Sequence, residues 1–392
     1  MDISVLLNNH EVEPSFITKV EFKNNINSLL SSGSLIIRDS GNNFVNSGNL
    51  VIGLPLTIIL RENTTSKIFK TLEYKISGVR NAGASDENSD YNLGGFIQVF
   101  FISNLYFIPK ENKSHTGQSS DLVQKLSTYD NTLELKEIED SDDKDSMTKR
   151  YQLKKSYYRF LLEDVLPFTT IKQDPSYCFV DINNSLHFIS QKTLFSKPTK
   201  KSIVSAGSNL SSHGASHYER GDWYIGEGLN SLYSSLKSVN VYIDNETRLV
   251  EGSTDNVSTI QSKDYYFIDK SLMENISATH FGYLDSNYLK KDIIAFNKNN
   301  KKERNRFFRV SVQGIADFEI ITGDILELIV ENTSSETIKQ GHILSGRYAI
   351  EEIAYTQSSM GMTLMNVTLF RPSISQETVK KLDIKVDNLY EE

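Results

Sequence analysis

RFFRVSVQG (Arg306–Gly314), TGDILELIV (Thr322–Val330), GRYAIEEIAYT (Gly346–Thr356) and MGMTLMNVTLFRPS (Met360–Ser373) follow one another near the end of the chain. Each alternates apolar with polar residues or is rich in β-branched ones, and Gly, Asn, Ser or Asp stand at the joins. A period of two sets one face of each segment against a core and the other in water. The four segments predict a small antiparallel β-barrel. They carry no nucleophile, general base or set of metal ligands.

The start of the chain repeats this pattern. DISVLLN (Asp2–Asn8), FITKVEFK (Phe16–Lys23), SGSLIIRDSGNNF (Ser32–Phe44), NLVIGLPLTIILRE (Asn49–Glu62), TLEYKISGVRN (Thr71–Asn81) and GGFIQVFFISN (Gly94–Asn104) are further strand signals. A polar turn over 81–92 separates the last two. Set beside the closing stretch, IGLPLTIIL from Ile52 echoes TGDILELIV from Thr322. LEYKISGVRN from Leu72 echoes GRYAIEEIAY from Gly346, and GFIQVFFISN from Gly95 echoes GMTLMNVTLF from Gly361. The order of elements is kept, and loop-length changes absorb the unequal spacing. This predicts a duplicated unit.

The fold class expected is mainly β with α+β insertions: two similar antiparallel β-barrel domains plus an inserted α+β domain. The first barrel covers 1–110 and the insertion 111–205. The second barrel covers 206–245 and 305–373, with a second insertion over 246–304 and a tail over 374–392. In the insertion, Leu122, Val123 and Leu126 have helical spacing behind a cap-like Ser119/Ser120. Tyr158, Leu161, Leu162 and Val165 form a second helical face that Pro167 ends. YCFVDINNSLHFIS is a hairpin around Asn183-Asn184. Ser196–Ser216 reads as a polar linker, Leu229, Leu232 and Leu236 as one face of a short helix, and VNVYIDNETRLVEG as another hairpin. KDYYFIDK (Lys263–Lys270) reads as a strand, a helix is expected from about Asn287, and the tail is expected to order on a partner.

The chain has 392 residues with 42 basic and 50 acidic side chains, a net charge of −8, which disfavours a general nucleic-acid binder. The single cysteine, Cys178, excludes a disulfide framework and a multi-cysteine zinc site, and SYCFVDI makes it a strand thiol. The amino terminus lacks a secretory signal pattern and no apolar run is long enough to span a bilayer. Folding in a reducing cytoplasm is expected. Asn-x-Ser/Thr triplets at Asn63, Asn209, Asn245 and Asn366 follow from an Asn- and Ser-rich composition.

Few constellations suggest chemistry. His213 and His217 stand four apart with Glu219 nearby, but Gly214 interrupts them and no third ligand is evident. The acidic run Glu139–Asp145 lacks the spacing of a calcium loop and reads as a solvated surface loop. Glu351-Glu352 and Asp140–Asp143 are paired carboxylates, which on a strand or loop are more often solvated side chains than an acid/base pair, and glycosidase carboxylates are not recognised from spacing alone. Phosphate-binding glycine loops and nucleophile elbows are absent from the sequence. DWYIGEG (Asp222–Gly228) presents Trp223 either as an interface anchor or as a core residue. No catalytic, metal-binding or cofactor-binding residue is assigned, and no cofactor is expected.

The order of these weak motifs resembles the baseplate hub proteins of contractile-tailed, T-even-type bacteriophages, a family related to late-control-type hubs and to type VI secretion spike bases. NRFFRVSVQGIADFEIITGDILELIV (Asn305–Val330) is similar to the family's strand, short bridge and Gly-Asp before the next strand. HILSGRYAIEEIAYTQSSMGMTLMNVTLFRPS (His342–Ser373) looks like its closing hairpin, and SYYRFLLEDVLPF with YCFVDINNSLHFIS like its inserted helix and hairpin. The resemblance covers nearly the whole chain. It implies a non-enzymatic homotrimeric ring of pseudo-sixfold symmetry that joins the hexameric tail tube to the trimeric central spike and leaves a channel for DNA. The implied partners are tail tube proteins, a central spike that can bear a lysozyme domain, and surrounding wedge proteins. DNA passes without specific binding, and the chain ends up in the virion tail after assembly in the host cytoplasm. A type VI-like injection device is the alternative within assembly proteins; a glycan-processing β-rich enzyme is the alternative of another class. The acidic stretch near Ser141–Asp145 departs from the family pattern.

Overall fold

Apolar side chains at every second position of the first hundred residues turn to one face, and the backbone pairs accordingly. In the computed structural model the strands of this part are β1 (Asp2–Leu7), β2 (His10–Glu11), β3 (Ile17–Asn25), β4 (Ser32–Asp39), β5 (Pro55–Arg61), β6 (Ile68–Asn81) and β7 (Gly95–Ile102). The structure describes residues 2–391 except 40–42, 62–67, 83–94, 144–149, 207–216, 226–236, 245–249, 257–264, 267–277, 285–294, 296–298, 300–301, 303–305, 331–341, 359–361 and 374–389. The polar turn over 81–92, His213, the Leu229–Leu236 face and the helix expected from Asn287 therefore lie wholly or largely outside the described residues.

Next come β8 (Lys110–His115), β9 (Glu134–Ile138), β10 (Arg150–Ser156), β11 (Thr170–Ile171), β12 (Asp174–Val180) and β13 (Ser185–Ser190), with short helices over Ser119–Gln124 and Gln191–Ser196. Then follow β14 (Thr199–Ala206), β15 (His217–Ile225), β16 (Lys237–Asp244), β17 (Val250–Asn256), β18 (Tyr265–Tyr266), β19 (Ala278–Leu284), β20 (Phe308–Ile315), β21 (Ile325–Val330), β22 (Gly346–Ser358), β23 (Leu364–Arg371) and β24 (Tyr390–Glu391).

Thirteen strands form one continuous sheet in the order β2-β1-β5-β6-β7-β4-β3-β22-β21-β14-β15-β20-β23, with β22 also pairing β23. This corrects the expectation of two separate antiparallel barrels. The joint is β3 against β22, from Glu352 opposite Asn25 to Ser358 opposite Lys19, which fuses the halves into one hydrogen-bonded system. Nor is the sheet wholly antiparallel: β14 runs parallel to both β21 and β15. One core serves both halves, with Phe22 stacked on Tyr355 (5.1 Å between ring centroids) and Tyr355 on Phe318 (4.7 Å).

The expected duplication is written in the pairing. Taken in chain order, β1, β3, β4, β5, β6 and β7 lie in the spatial order first, fourth, fifth, sixth, third, second. Followed from β14 through the β21, β22, β23, β20 and β15 pairings, β14, β15, β20, β21, β22 and β23 keep that order, although β14 runs parallel to β21 where β1 runs antiparallel to β5. The register breaks between Ile76 and Gly78 on β6 and between Ile350 and Glu352 on β22, so both copies carry a bulge at one equivalent place. Aligned on these bulges, buried Leu56, Ile58, Leu60, Tyr74, Ile76, Ile97, Val99 and Phe101 correspond to buried Leu326, Leu328, Val330, Tyr348, Ile350, Met365, Val367 and Leu369. The pairings of Ile52 with Thr322 and of Leu72 with Gly346 hold in this alignment. The third is corrected by two residues: Gly95 corresponds to Thr363 rather than Gly361. A shift of two leaves every side chain on its own face, so alternation does not register it.

The segment between the two repeats has its own core of Leu122, Val123, Leu126, Tyr157, Phe160, Leu161, Val165 and Phe188. The expected hairpin is present as β12 against β13, with Asn184 in the left-handed region (φ 56°). The second helical face occupies a run from Tyr157 to Phe168. The expected linker Ser196–Ser216 is corrected: its first part is β14, which enters the large sheet beside β21. Of the strand expected over Lys263–Lys270, Tyr265–Tyr266 lie among the described residues and are strand, pairing with Tyr390–Glu391 of the tail. The hairpin β16–β17 joins β19 in a separate three-stranded sheet.

Candidate assembly interface

The residues whose types suggested chemistry are occupied structurally. Glu351 is the bulge residue of β22, buried, and it forms ion pairs with Arg306 (2.7 Å) and Arg309 (2.9 Å). Glu352 accepts a hydrogen bond from Asn25 Nδ2 at 3.0 Å. A small indentation beside Glu351 is lined by Asn27, Tyr177, Lys302, Arg306 and Phe370. The adjacent glutamates thus neutralise separate cations and strands and do not flank a common substrate position. Cys178 lies buried on β12, where burial pushes its thiol up to about 12. Among the described residues no group of His, Cys, Asp and Glu is placed to hold a metal ion. The His217 side chain lies outside the described residues, and Glu219 is exposed on β15.

Part of the acidic run serves as a brace: Asp140 and Asp142 are exposed as a surface loop predicts, Asp145 lies outside the described residues, and Asp143 and Glu139 are drawn into the fold. Asp143 is paired with Arg150 at 3.0 Å, both side chains under a tenth exposed. It also accepts hydrogen bonds from Ser141 Oγ at 2.5 Å and from Ser119 N–H at 3.0 Å. Burial works to raise its pKa, but hydrogen bonds from Ser119 and Ser141 with the Arg150 charge outweigh it and hold the carboxyl below its ordinary range. Asp142 accepts from the Lys172 and Gln173 backbone, and Glu139 from Lys172 Nζ and Ser190 N–H. Positive φ at Lys172 and Gln173 exposes those amides in a tight turn that nothing in the local sequence announces.

A second polar network crosses the same segment. His187, stacked on Phe179 (4.7 Å between ring centroids, 6° between planes), lies between Glu137 (Nδ1 at 2.9 Å) and Asp181 (Nε2 at 3.1 Å). Burial lowers the imidazole pKa, yet the two carboxylates together raise it above its ordinary value. Its hydrogen bond to Glu137, helped by Lys197 at 2.7 Å, brings that carboxyl down to about 2. Asp181 in turn accepts the Asn183 and Ser185 backbone N–H groups and so fixes the hairpin turn. The network is a fold-holding device.

The feature of the fold suited to assembly is the β3–β22 junction, where the strand edge of one repeat meets the strand edge of the other. It buries Val20 and Phe22 of β3 and Ile353 and Tyr355 of β22. The equivalent positions on the other copies of these strands are Arg220 and Trp223 on β15, and Val79 and Asn81 on β6. There Trp223 is 50 % exposed, Tyr224 52 % and Val79 38 %. Trp223, singled out in the sequence, thus stands on the surface of a strand. Val79 was not singled out, because a valine in an alternating strand gives no sign of which neighbour is missing.

No family model and no curated protein matches the sequence. In three dimensions the chain is similar to the tail protein of Neisseria meningitidis MC58, 12% identical with a TM-score of 0.57, the match covering 96% of this chain and 98% of that one. It is also similar to the 43 kDa tail protein of prophage MuSo2 from Shewanella oneidensis, 10% identical with a TM-score of 0.59, covering 95% and 98%. At these identities the likeness establishes a shared fold over nearly the full length of both.

Proposed function

We propose that this chain is the structural hub of a phage tail baseplate. Three copies join head to tail into a ring of six equivalent strand units, bind the hexameric tail tube at one end and a trimeric spike at the other, and leave a channel for DNA. One observation carries the reading: a single chain holds the same six-strand order twice, with the same bulge, and joins its two copies edge to edge through β3 and β22. Two units per chain turn threefold symmetry into near-sixfold symmetry without a second protein, which is what a tube-to-spike adaptor requires. The shared fold with two tail proteins supports the setting, and a net charge of −8 suits a wall that repels phosphate. Wedge proteins surround the ring, and the chain acts in the virion without catalysing a reaction.

The test is the native mass of the purified protein, alone and mixed with a candidate trimeric spike. Three chains per particle, alone or on the spike, is the expected result. A particle that stays monomeric with spike and tube proteins present would overturn the proposal.

A further inference from the structure

We infer that the ring closes by one defined strand pairing between copies: the outer edge of β6 beyond Lys75 against the outer edge of β15 from Arg220 to Ile225 of the next copy. The inference rests on the hub reading and deepens it by naming the surface. Within the chain, β22 uses its amino-terminal part to pair β21 (Gly346–Ala349) and then, on the same edge, pairs β3 through Glu352–Ser358. β6 is built the same way. It pairs β5 from Ile68 to Lys75 and β7 on its other edge from Lys75 onward. Among the described residues no strand occupies the edge corresponding to Glu352–Ser358.

β15 answers to β3. It pairs β20 on one side as β3 pairs β4, while on the other side, among the described residues, β14 covers only His217–Glu219. The remaining edge, Arg220–Ile225, matches the part of β3 that β22 covers. The chain therefore shows one half of each junction at each end and the complete junction in its middle. The side chains agree with this: Ile353 and Phe22, buried at 1 % and 0 % in the internal junction, have as counterparts Val79 and Trp223, exposed at 38 % and 50 %. An uncovered strand edge with apolar side chains beside it is a template for another strand.

The internal register, Ile353 opposite Asn24 and Ala354 opposite Lys23, transfers directly. It sets Val79 opposite Ile225 and Arg80 opposite Tyr224 of the neighbouring copy, with Trp223 one residue further along. Each copy offers one β6 edge and one β15 edge that differ from each other, so the contact is heterologous and closes only as a ring.

The experiment uses two double variants of the full chain, Val79→Cys with Ile225→Cys and Arg80→Cys with Tyr224→Cys, oxidised in solution at the concentration where native mass is measured. Directly opposed residues in an antiparallel pair lie within disulfide reach, the non-hydrogen-bonded pair most closely. Cys178 does not compete, because it is buried and held protonated. The expected result is reducible covalent dimers and trimers from at least one double variant and none from the four single variants. Trimers by native mass with no cross-link in either double variant would overturn the edge assignment while leaving the hub reading intact. Monomers by native mass would overturn both.

Discussion

Gly53 and Gly323 occupy equivalent places at the entry to β5 and β21, with φ of +91° and +82°. Both turns make the same bonds. Gly53 N–H donates to Ile76 O (2.8 Å) and Gly323 N–H to Ile350 O (3.1 Å), while Ile76 and Ile350 N–H return to Leu54 O and Asp324 O. A side chain is disfavoured at either φ, yet their surroundings differ. A Cβ at Gly53 meets open space, whereas one at Gly323 falls 2.6 Å from the Phe179 ring on β12. Gly53→Ala should cost about 1–2 kcal/mol, and Gly323→Ala clearly more, because overpacking adds about 1–3 kcal/mol. Denaturant melts of the two variants check the order. Equal losses would show that the second turn does not rest on the inserted segment.

His187 supplies the pH dependence at this scale. Its folded pKa is raised, so its contribution is complete below the unfolded value of about 6.5 and declines as pH rises through the folded value. Glu137, brought down to about 2, contributes above the unfolded value of roughly 4.3 and loses that contribution as pH falls toward about 2. Between those limits both groups favour the folded state. His187→Gln should flatten the stability profile above the unfolded value of about 6.5, as followed by melting temperature against pH. A profile unchanged by the substitution would contradict the assignment.

Among the elements, the bulged strands β6 and β22 and the brace around Asp143 carry most of the information. Alternation identified ten of the thirteen strands of the large sheet, because one buried face imposes period two whatever the neighbour is, and it missed β2, β14 and β15. It did not identify the neighbours. Whether β3 closes on its own half or crosses to β22 depends on residues far apart in sequence whose patterns are interchangeable, so one sheet and two barrels looked alike. The acidic run misled for a related reason. Asp143 becomes structural only when folding brings Ser119 and Arg150 to it, and a cluster of acids reads as solvated until its partners are known. Asp143→Ala should destabilise the inserted segment by about 3–5 kcal/mol, the usual cost of stranding a buried partner. Hydrogen exchange confined to residues 110–196 reads this out. Unchanged protection there would return the acidic run to the surface.

At the scale of the whole molecule, the chain is half-specified for something larger. Its internal junction is buried and complete, and its two outer edges repeat that junction's halves with Val79, Trp223 and Tyr224 left outside. The exposed aromatic was legible in the sequence as Trp223 beside glycines, but its role as the counterpart of Phe22 emerged only when the strand orders were compared. A proline at Val79 removes one edge amide and should convert the assembly to single chains without lowering the melting temperature by more than a few degrees, as mass photometry and calorimetry together would show. An intact trimer in that variant would place the contact elsewhere.

If one chain contributes two equivalent units to a ring, electron microscopy of the purified assembly viewed down its axis should show it. The expected view is three chains arranged as six similar sheet units around an open channel, with true threefold and approximate sixfold symmetry. A particle with any other number of chains, or a threefold particle whose two repeats lie at unrelated radii, would contradict it.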